Sequence, residues 1–371
     1  MSAGNAAPLG PDATIGILGG GQLGRMLALA AARLGLKCHV LSPDPQSPAF
    51  DVVHRVTNAD YTDTQALDRF AADVDVVTYE FENIPAETAT FLSARKPVLP
   101  DPRVLATTQD RLVEKTFVAG LGIATARFVA IDAPGMMRQA VDVIGRPAVL
   151  KTRRFGYDGK GQVMLRDGVD PDAAWRAIGG QPAILEAFVP FEREISVVAV
   201  RSAAGQIECF DVTENEHRDH ILKVSRAPAD VTPEVAAAAF DIARRVAGAF
   251  DYVGVLAVEM FVVREHGGHA VLVNEIAPRV HNSGHWTLDG ATVSQFEQHI
   301  RAVAGWPLAR PLRLARVEMT NLIGAEVADY AKWLAAPGVS VHLYGKAAVR
   351  DGRKMGHVTR VIPEPERGGS S

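Results

Sequence analysis

Short apolar runs and amphipathic stretches alternate along the first hundred residues. The apolar runs are typical of buried strands, and the amphipathic stretches are typical of helices. In chain order these segments lie at residues 15–18, 22–33, 37–41, 64–72 and 74–78. Strands that alternate with helices predict a parallel sheet with right-handed crossovers. Pro97, Pro100 and Pro102 end the pattern, because proline removes a backbone donor and restricts its neighbour. We therefore predict an α/β domain over residues 14–107.

The alternation of predicted strands and helices ends after a helical connector that contains Arg111 and Lys115. Strand candidates then follow closely, with a single helix at 171–178 among them. They lie at 126–131, 148–151, 162–165, 183–189, 195–201, 207–212, 255–263, 270–276, 317–323 and 341–344. Such a series favours α+β architecture with antiparallel sheet. The polar turn REHGGH between the two long runs at 255–263 and 270–276 predicts a hairpin.

The order of these elements predicts five segments. The first is a tail at 1–13, and the α/β domain at 14–107 follows it. The α+β domain covers 108–305 and includes a lid at about 125–187. A small β-rich domain at 306–363 and a tail at 364–371 complete the chain.

Composition narrows the class of protein. The chain has 371 residues and a formal net charge of -4, so it lacks the basic excess of a protein that binds nucleic acid. No apolar run is long enough to cross a bilayer, and the N-terminal residues do not resemble a signal peptide. Cys38 and Cys209 form no paired motif. These features favour a cytoplasmic enzyme of two or three domains that binds no membrane.

Three glycines, Gly19, Gly21 and Gly24, form a turn directly after the first predicted strand. Glycines let the backbone approach an anion, and the following helix offers free N–H groups, so a phosphate site is predicted. The spacing also matches a dinucleotide fingerprint, with Asp44 about twenty residues further on. An NAD-dependent oxidoreductase therefore remains an alternative, and so does a turn needed only for packing.

A second glycine-rich segment, residues 151–162, follows a predicted strand and contains several cations. This composition predicts a mobile loop whose amides and charges can fold over a triphosphate. It is not a Walker A loop, because the required order of glycine and lysine is absent. An exposed basic hairpin is the alternative interpretation.

A nucleotide clamp is predicted at residues 186–189 and at Glu194. A segment at a strand end can offer backbone groups to an adenine edge, while a nearby carboxylate accepts both ribose hydroxyls. Without the other motifs these residues would be interpreted as a solvated face.

Glu259 and Glu275 each lie inside an otherwise apolar strand of the predicted hairpin. Burying two carboxylates side by side is unfavourable unless a cation compensates them. Their oxygens, together with Asn274, suit magnesium that is shared with ATP phosphates. Arg279 and His281 follow at once; an arginine can hold a bicarbonate or acyl-phosphate oxygen, and a histidine can move a proton.

The order of these motifs resembles the ATP-grasp superfamily. Within it, GGGQLGRM, TYEFENIP, FGYDGKGQ and NEIAPRVHNSGHWT resemble the 5-(carboxyamino)imidazole ribonucleotide synthases, over roughly residues 14–360. The resemblance implies an ATP-grasp fold with an N-terminal Rossmann-like (pre-ATP-grasp) domain and a small C-terminal β-rich domain. It also implies that ATP and a pair of magnesium ions (Mg2+) activate bicarbonate through carboxyphosphate. The exocyclic amine of 5-aminoimidazole ribonucleotide is then carboxylated, in purine biosynthesis, by a homodimer.

The resemblance also implies a role for particular residues. The implied ATP contacts are Arg111, Lys151, Gly156, Tyr157, Asp158, Gly159, Lys160, Gly161, Gln162, Glu186, Ala187, Phe188, Val189, Glu194, His217, Asn274 and Glu275. The implied magnesium ligands are Glu259 and Glu275. The implied ribonucleotide contacts are Gly21, Gln22, Leu23, Glu80, Tyr157, Arg279, Lys354 and Arg360. The implied catalytic residues are Arg279, His281, Asp158 and Lys151, with His281 or Asp158 as the base.

The chain departs from the family pattern at His220, where a glycine is expected. It also ends without the mutase-type domain of fungal relatives, which predicts that another protein catalyses the next step. The nearest rival is a sister ATP-grasp enzyme that uses formate and glycinamide ribonucleotide. A noncatalytic nucleotide sensor is a further alternative, but it would not require paired buried carboxylates.

Overall fold

A parallel sheet forms the N-terminal layer of the computed structural model, which describes residues 7–156, 159–265 and 267–362. The elements of this layer are β1 (Thr14–Leu18), α1 (Gln22–Arg33), β2 (Lys37–Ser42), β3 (Arg55–Asn58), α2 (Thr64–Ala72), β4 (Val76–Tyr79), α3 (Ala86–Ser93) and α4 (Pro102–Thr108). The strand order is β3-β2-β1-β4. Every strand and helix predicted here is confirmed within two residues. The polar edge strand β3 was missed because it lacks an apolar run.

The lid is a small antiparallel sheet with helices on it. Its elements are α5 (Arg111–Gly120), which leads into it, then β5 (Phe128–Ile131), α6 (Met137–Ile144), β6 (Ala148–Thr152), β7 (Gln162–Leu165), α7 (Pro171–Ala177) and β8 (Ala183–Ala187). The strand order is β5-β8-β6-β7, antiparallel throughout. Helix α7 begins with a proline after Asp170, whose side chain accepts from the N–H of Asp172.

The rest of the chain contributes to a large antiparallel sheet. Its elements are β9 (Arg193–Arg201), β10 (Ile207–Cys209), β11 (Thr213–Arg218), β12 (Ile221–Ala227), α8 (Pro233–Ala249), β13 (Gly254–Glu265), β14 (Gly268–Ala277), α9 (Thr287–Gly290), α10 (Gln295–Val303), β15 (Arg316–Ile323), α11 (Tyr330–Leu334), β16 (Val339–Leu343) and β17 (Lys354–Ile362). The order is β14-β13-β9-β11-β12-β15-β17-β16, with β10 beside β9. Strand β10 is shorter than the predicted 207–212: it ends at Cys209, although the N–H of Phe210 still donates to the carbonyl of Val198 on β9 at 2.9 Å.

The C-terminal strands extend the same sheet. Strand β15 pairs with β12, and Val224 lies opposite Thr320. Strand β17 then pairs with β15 and β16 with β17. Strands β11, β12 and β17 were missed in the sequence because polar and charged residues interrupt their apolar positions. The predicted β-rich segment at 306–363 is thus continuous with the sheet that carries the hairpin β13–β14.

A shared hydrophobic core joins the N-terminal layer to the large sheet. It includes Ile17 and Leu27 from the first layer, and Val198 and Phe296 from the second. The buried His299 adds a polar link: Nε2 is 2.8 Å from Oγ1 of Thr78, and Nδ1 accepts from the backbone of Val255. Elements more than two hundred residues apart in the chain therefore pack as one body.

Part of the predicted N-terminal tail is held in place. The N–H of Leu9 donates to the carbonyl of Ala304 at 2.9 Å, and its carbonyl accepts from Trp306 Nε1 at 2.8 Å. Leu9 also packs against the shared core. In the ranges that the structure describes, no helix combines the length and apolarity needed to cross a membrane.

Replacing Phe296 by alanine should lower the free energy of unfolding by about 3–5 kcal/mol, since a fully buried ring leaves a cavity. Urea titration followed by circular dichroism measures the change. Leu334→Ala, at a side chain that is 64% exposed, is the control and should change stability little. A loss below about 1 kcal/mol for Phe296→Ala would contradict the shared core.

Candidate active site

The glycine-rich turn after β1 wraps around a carboxylate that follows β4. The N–H of Gly21 donates to Oε1 of Glu80 at 2.8 Å. Gly19 has a φ of +102°, and a Cβ on it would lie 2.7 Å from the Glu80 side chain. Burial raises the pKa of Glu80, although Gly21 and Arg279 act in the opposite direction. The turn needs glycine because a side chain of the same protein approaches it so closely.

Arg279 is held by Glu82, which lies two residues beyond Glu80. Nε of Arg279 contacts Oε2 of Glu82, and Nη2 donates to Oε1 at 2.7 Å, which gives a two-point ion pair. Nη1 donates to the carbonyl of Val280 at 3.1 Å. Burial lowers the pKa of Arg279, but Glu82 and Glu80 outweigh it and raise the pKa. The pair fixes a permanent positive charge between the N-terminal layer and the end of β14.

Two lysines share the carboxylate of Glu186 at the end of β8. Nζ of Lys151 is 2.9 Å from Oε2 of Glu186, and Nζ of Lys115 is 3.6 Å from the same oxygen. Lys115 is fully buried and also donates to Oγ1 of Thr125 and to the carbonyl of Asn274. Burial raises the pKa of Glu186, but the two lysines outweigh it and lower the pKa to about 2. The result is a buried cationic cluster around one ionised carboxylate.

Arg111 connects the start of α5 to both the hairpin and the lid loop. Nη1 donates to Oε2 of Glu275 at 3.0 Å, and Nη2 donates to the carbonyl of Gly156 at 3.4 Å. Helix α5 begins here because Asp110 caps it and accepts from the N–H of Leu112. The cap places Arg111 at the mouth of the lid.

Glu259 and Glu275 lie directly opposite each other on β13 and β14, which confirms the predicted hairpin. Opposite residues share a face of the sheet, with Cβ atoms about 4.5–5.5 Å apart. Nε2 of His281 is 2.9 Å from Oε1 of Glu259. Burial raises the pKa of Glu259, but His281, followed by His217 and Lys354, outweighs it and lowers the pKa. Both carboxylates are therefore compensated by cationic or hydrogen-bonding neighbours.

The residues around this pair fit a magnesium ion. The strand pairing passes from Glu259–Glu275 to Met260–Val273, so Asn274 is the extra residue of a β-bulge, a feature that redirects side chains. Its buried Oδ1 has no hydrogen-bond partner among the described residues. Among the residues that the structure describes, no group of three or more His, Cys, Asp or Glu is placed to bind a metal. Magnesium needs no such cluster, because one or two carboxylates and substrate phosphates suffice.

A second carboxylate–histidine pair joins the neighbouring strands β9 and β11. Nδ1 of His217 lies 2.5 Å from Oε2 of Glu194. Burial lowers the pKa of His217, but the neighbouring carboxylate of Glu194 outweighs it and raises the pKa. Glu194 and His217, both predicted ATP contacts, are thus brought together. The charge of Glu259 also helps to raise the pKa of His217, so the pair lies near the opposed carboxylates.

The lid loop between β6 and β7 packs against the turn between β11 and β12. A Cβ on Gly159 would lie 2.6 Å from Cβ of His220. Asp219 and His220 both have positive φ, +49° and +64°, as in a two-residue hairpin turn that favours glycine. This turn explains the glycine expected at His220. Two predicted contacts of the loop, Tyr157 and Asp158, lie outside the described residues.

The other predicted nucleotide contacts follow the lid strands. A Cβ on Gly161 would lie 2.5 Å from Oγ1 of Thr152, so this glycine closes the loop tightly. Gln162 begins β7 opposite Lys151. Ala187 ends β8, and the next two residues of the predicted clamp leave the strand. They are Phe188, which is 40% exposed, and Val189. Lys160 lies in the loop beside Gly161.

The predicted ribonucleotide contacts are only partly brought together. Gln22 and Leu23 begin α1 beside the glycine turn, and Leu23 is buried in the core. Lys354, at the start of β17, is close enough to Glu259 to lower its pKa. Arg360 is exposed six residues further along β17, a distance of about 20 Å in an extended strand.

Sequence reasoning gave no role to three residues that support the site. Glu82 stands two residues from Glu80 in TYEFENIP, and Lys115 is four residues from Arg111, on the same face of α5. Glu114 accepts from the N–H of Ile276 at 2.6 Å, and burial raises its pKa. For Glu114 and Lys115 a cue was available, because they are charged side chains at positions of α5 that the amphipathic pattern assigns to the buried face.

Family models match three consecutive parts of the chain. Residues 12–109 match a ribonucleotide synthetase preATP-grasp domain, residues 116–296 an ATP-grasp domain, and residues 318–367 a phosphoribosylaminoimidazole carboxylase C-terminal domain. These matches and the arrangement of lid, hairpin and sheet define an ATP-grasp protein.

Individual relatives narrow the class. An N5-carboxyaminoimidazole ribonucleotide synthase of Brucella melitensis is 48% identical, with 96% of this chain and 98% of the relative aligned. The bifunctional purine synthesis protein purC/E of Dictyostelium discoideum is 44% identical over 96% of this chain, which spans only 38% of that protein. The crystal structure of N5-carboxyaminoimidazole synthase from Aspergillus clavatus with ADP and 5-aminoimidazole ribonucleotide has a TM-score of 0.86 at 29% identity, covering 95% and 94% of the two chains. The chain belongs to the N5-carboxyaminoimidazole ribonucleotide synthase family.

Replacing Glu186 by glutamine should remove stability that depends on pH. A carboxyl whose pKa is lowered on folding stabilises the protein above its ordinary pKa, and that stability is lost as the pH falls from 4.5 towards 2. At about 1.36 kcal/mol per pKa unit the contribution is about 3 kcal/mol. Glu186→Gln should therefore be less stable than wild type by about 3 kcal/mol at pH 7, with the difference vanishing near pH 2.

Urea unfolding at a series of pH values measures this difference. Glu87→Gln makes the same charge change on the exposed face of α3 and serves as the control. A constant difference between wild type and Glu186→Gln from pH 7 to pH 2 would contradict the assigned ion pairs.

Proposed function

We propose that this ATP-dependent ligase carboxylates the exocyclic amine of 5-aminoimidazole ribonucleotide with bicarbonate. The products are N5-carboxyaminoimidazole ribonucleotide, ADP and phosphate. The observation that carries the proposal is the pair of opposed carboxylates, Glu259 and Glu275, with His281 against Glu259 and with Arg279, two residues beyond the end of β14, fixed by Glu82. The Aspergillus relative was crystallised in complex with ADP and 5-aminoimidazole ribonucleotide, which supports this choice of substrates.

The lid side of the cleft holds ATP. Lys151 and Arg111 lie beside the lid loop and offer positive charge to the phosphates. Each is held in place by a carboxylate, Lys151 by Glu186 and Arg111 by Glu275. Residues 156–162 close over the triphosphate. Residues 186–189 hold the adenine edge, while Glu194 and His217 hold the ribose. Their ion pair fixes both side chains before the nucleotide arrives.

Glu259, Glu275 and Asn274 would hold magnesium, as a pair of ions. When bound, the metal draws charge from the β and γ phosphates and so favours attack on the γ-phosphorus. The orphaned Asn274 Oδ1 and the opposed carboxylates support this assignment.

Arg279 orients bicarbonate. A guanidinium has five N–H donors. The described contacts of Arg279 use three of them, two in bonds to Glu82 and one in a bond to the carbonyl of Val280. The remaining donors can bind an anion's oxygens without moving the arginine. Bicarbonate oxygen then attacks the γ-phosphate, and the carboxyphosphate formed carboxylates the amine. The closed lid excludes water, because this intermediate hydrolyses readily.

His281 or Asp158 accepts the proton of the amine. His281 faces Glu259 at the reacting end of the cleft. Asp158 is in the lid loop, outside the described residues. Gly21, Gln22, Leu23, Glu80, Tyr157 and Lys354 are assigned to the ribonucleotide. Arg360, which the family resemblance also implies, is exposed six residues further along β17 and is not assigned to it.

We assign the enzyme to the cytoplasm as a homodimer, as the family resemblance implies. Its cysteines are free, and burial raises the pKa of both thiols, Cys38 and Cys209, which suits a reducing compartment.

The test is ADP release by purified protein with ATP and magnesium. 5-Aminoimidazole ribonucleotide with bicarbonate should stimulate release, whereas glycinamide ribonucleotide with formate should not. Stimulation only by the second pair would move the protein to the formate-dependent sister enzyme. Silence with both pairs would overturn the proposed reaction.

Glu259→Gln supplies the matched arm of this assay. The variant should lose about 100-fold or more in turnover while remaining folded, because the proposed metal site loses a charge. Glu265→Gln lies on the exposed end of the same strand and should keep wild-type turnover. Near-normal activity of Glu259→Gln would contradict the metal assignment.

Lys354→Ala and Arg360→Ala distinguish the two cations that the family resemblance implies for the ribonucleotide. Lys354 is close enough to Glu259 to help lower its pKa, whereas Arg360 is exposed far along β17. We expect Lys354→Ala to raise the KM for the ribonucleotide about tenfold and Arg360→Ala to leave it near wild type, by steady-state kinetics. A large effect of Arg360→Ala alone would reverse the assignment.

A further inference from the structure

A line of buried polar side chains crosses the large sheet and ends at His281. It consists of Ser225 on β12, Asn215 on β11, Ser196 on β9 and Ser283 after β14. The three serines are 0% exposed and Asn215 is 7% exposed. Burying polar groups in an apolar sheet is unfavourable unless each is hydrogen-bonded. Here each one is bonded to the next.

The bonds run in one direction. The hydroxyl of Ser225 donates to Oδ1 of Asn215 at 2.8 Å, and Nδ2 of Asn215 donates to Oγ of Ser196 at 3.0 Å. An amide oxygen only accepts and an amide nitrogen only donates, so Asn215 sets the direction. Ser196, having accepted, gives its one hydrogen to Oγ of Ser283 at 2.7 Å. Ser283 gives its own to Nδ1 of His281 at 2.9 Å.

The histidine end of the line is also fixed through the backbone. The N–H of Ser283 points at the same Nδ1, at 3.3 Å. The side chain of the buried Gln295 accepts from the N–H of His281 at 2.8 Å and donates to its carbonyl at 2.7 Å. Two donors therefore converge on Nδ1 while the main chain is clamped. In the neutral ring the proton must then sit on Nε2, which is 2.9 Å from Oε1 of Glu259.

We propose that Ser283, Ser196 and Asn215 are positioning residues that keep the proton of the neutral His281 ring on Nε2, the nitrogen that lies 2.9 Å from Oε1 of Glu259. The inference rests on the proposed function for the role of Glu259 as a metal ligand. A proton on Nε2 places positive partial charge against the buried carboxylate that would hold the metal, and such neighbours of a metal ligand affect how well it binds. The opposite tautomer would place a ring lone pair against the carboxylate oxygen, which is repulsive. In the proposed tautomer the only basic nitrogen, Nδ1, already accepts from Ser283, so of the two candidate bases Asp158 is the one left to accept the amine proton.

The first test is 15N NMR of histidine-labelled protein without nucleotide or metal. The 15N chemical shift of a ring nitrogen reports whether it carries a proton, and the His281 signals are assigned by their loss in His281→Gln. We expect Nδ1 of His281 to be unprotonated and Nε2 to be protonated. A proton on Nδ1 in the wild-type protein overturns the proposal without any further variant.

The second test compares two chemically identical changes. Ser283→Ala removes the hydroxyl that donates to Nδ1, whereas Ser225→Ala removes the far end and leaves Asn215 donating in the same direction. Both serines are fully buried. We expect Ser283→Ala to shift proton occupancy towards Nδ1 and to lower kcat about 10- to 100-fold, with little change in the KM for ATP. Ser283→Thr restores the hydroxyl and should therefore restore both the wild-type 15N signals of His281 and the wild-type kcat.

Ser225→Ala should keep the wild-type Nδ1 and Nε2 signals. If both alanine variants lose kcat equally and neither changes the NMR signals, the line is only structural and the proposal fails. The NMR experiment needs no substrate, so it determines the tautomer of His281 whether or not the enzyme turns over the ribonucleotide. A lack of turnover would overturn the proposed function but not the inference about the tautomer.

Discussion

Burying an ionised side chain is unfavourable unless an opposite charge or a polar hydrogen lies close to it, and this constraint organises the cleft. Glu186 is compensated by Lys151 and Lys115, Glu82 by Arg279, Glu275 by Arg111, and Glu259 by His281. Each pair joins two different parts of the chain. The same contacts that make burial of the charges possible therefore bring the N-terminal layer, the lid and the hairpin to one place.

The sheet explains why residues so distant in sequence act at one edge. Strands β13 and β9 lie side by side, and Glu259 is paired with Ser196 as well as with Glu275. A ladder of backbone hydrogen bonds fixes such neighbours far more firmly than a loop would. The C-terminal strands extend this ladder, so Lys354 arrives near Glu259 by sheet pairing and not by a flexible tail.

The sequence predicted the features that a local pattern marks. Apolar runs located the hairpin, and Glu259 and Glu275 stood out as carboxylates inside those runs; that they lie directly opposite each other is known from the strand register. Glu82 was not assigned because the partner of an arginine two hundred residues away leaves no local trace. His220 shows the converse: a glycine is expected there because two positive φ angles form the turn, yet a histidine adopts that conformation. The distance between Lys354 and Arg360 became visible only when both were placed on one extended strand.

One carboxylate shared by two lysines gives the cleft an asymmetry that bears on nucleotide binding. Lys115 is fully buried and held by Thr125 and a backbone carbonyl, so it is fixed in place. Lys151 is more exposed, and its described bond is to Glu186. If Lys151 turns to a phosphate, Lys115 still compensates Glu186. Glu186 therefore keeps a positively charged neighbour when Lys151 binds a phosphate, so a polyanion can bind to this cluster without leaving a buried carboxylate uncompensated.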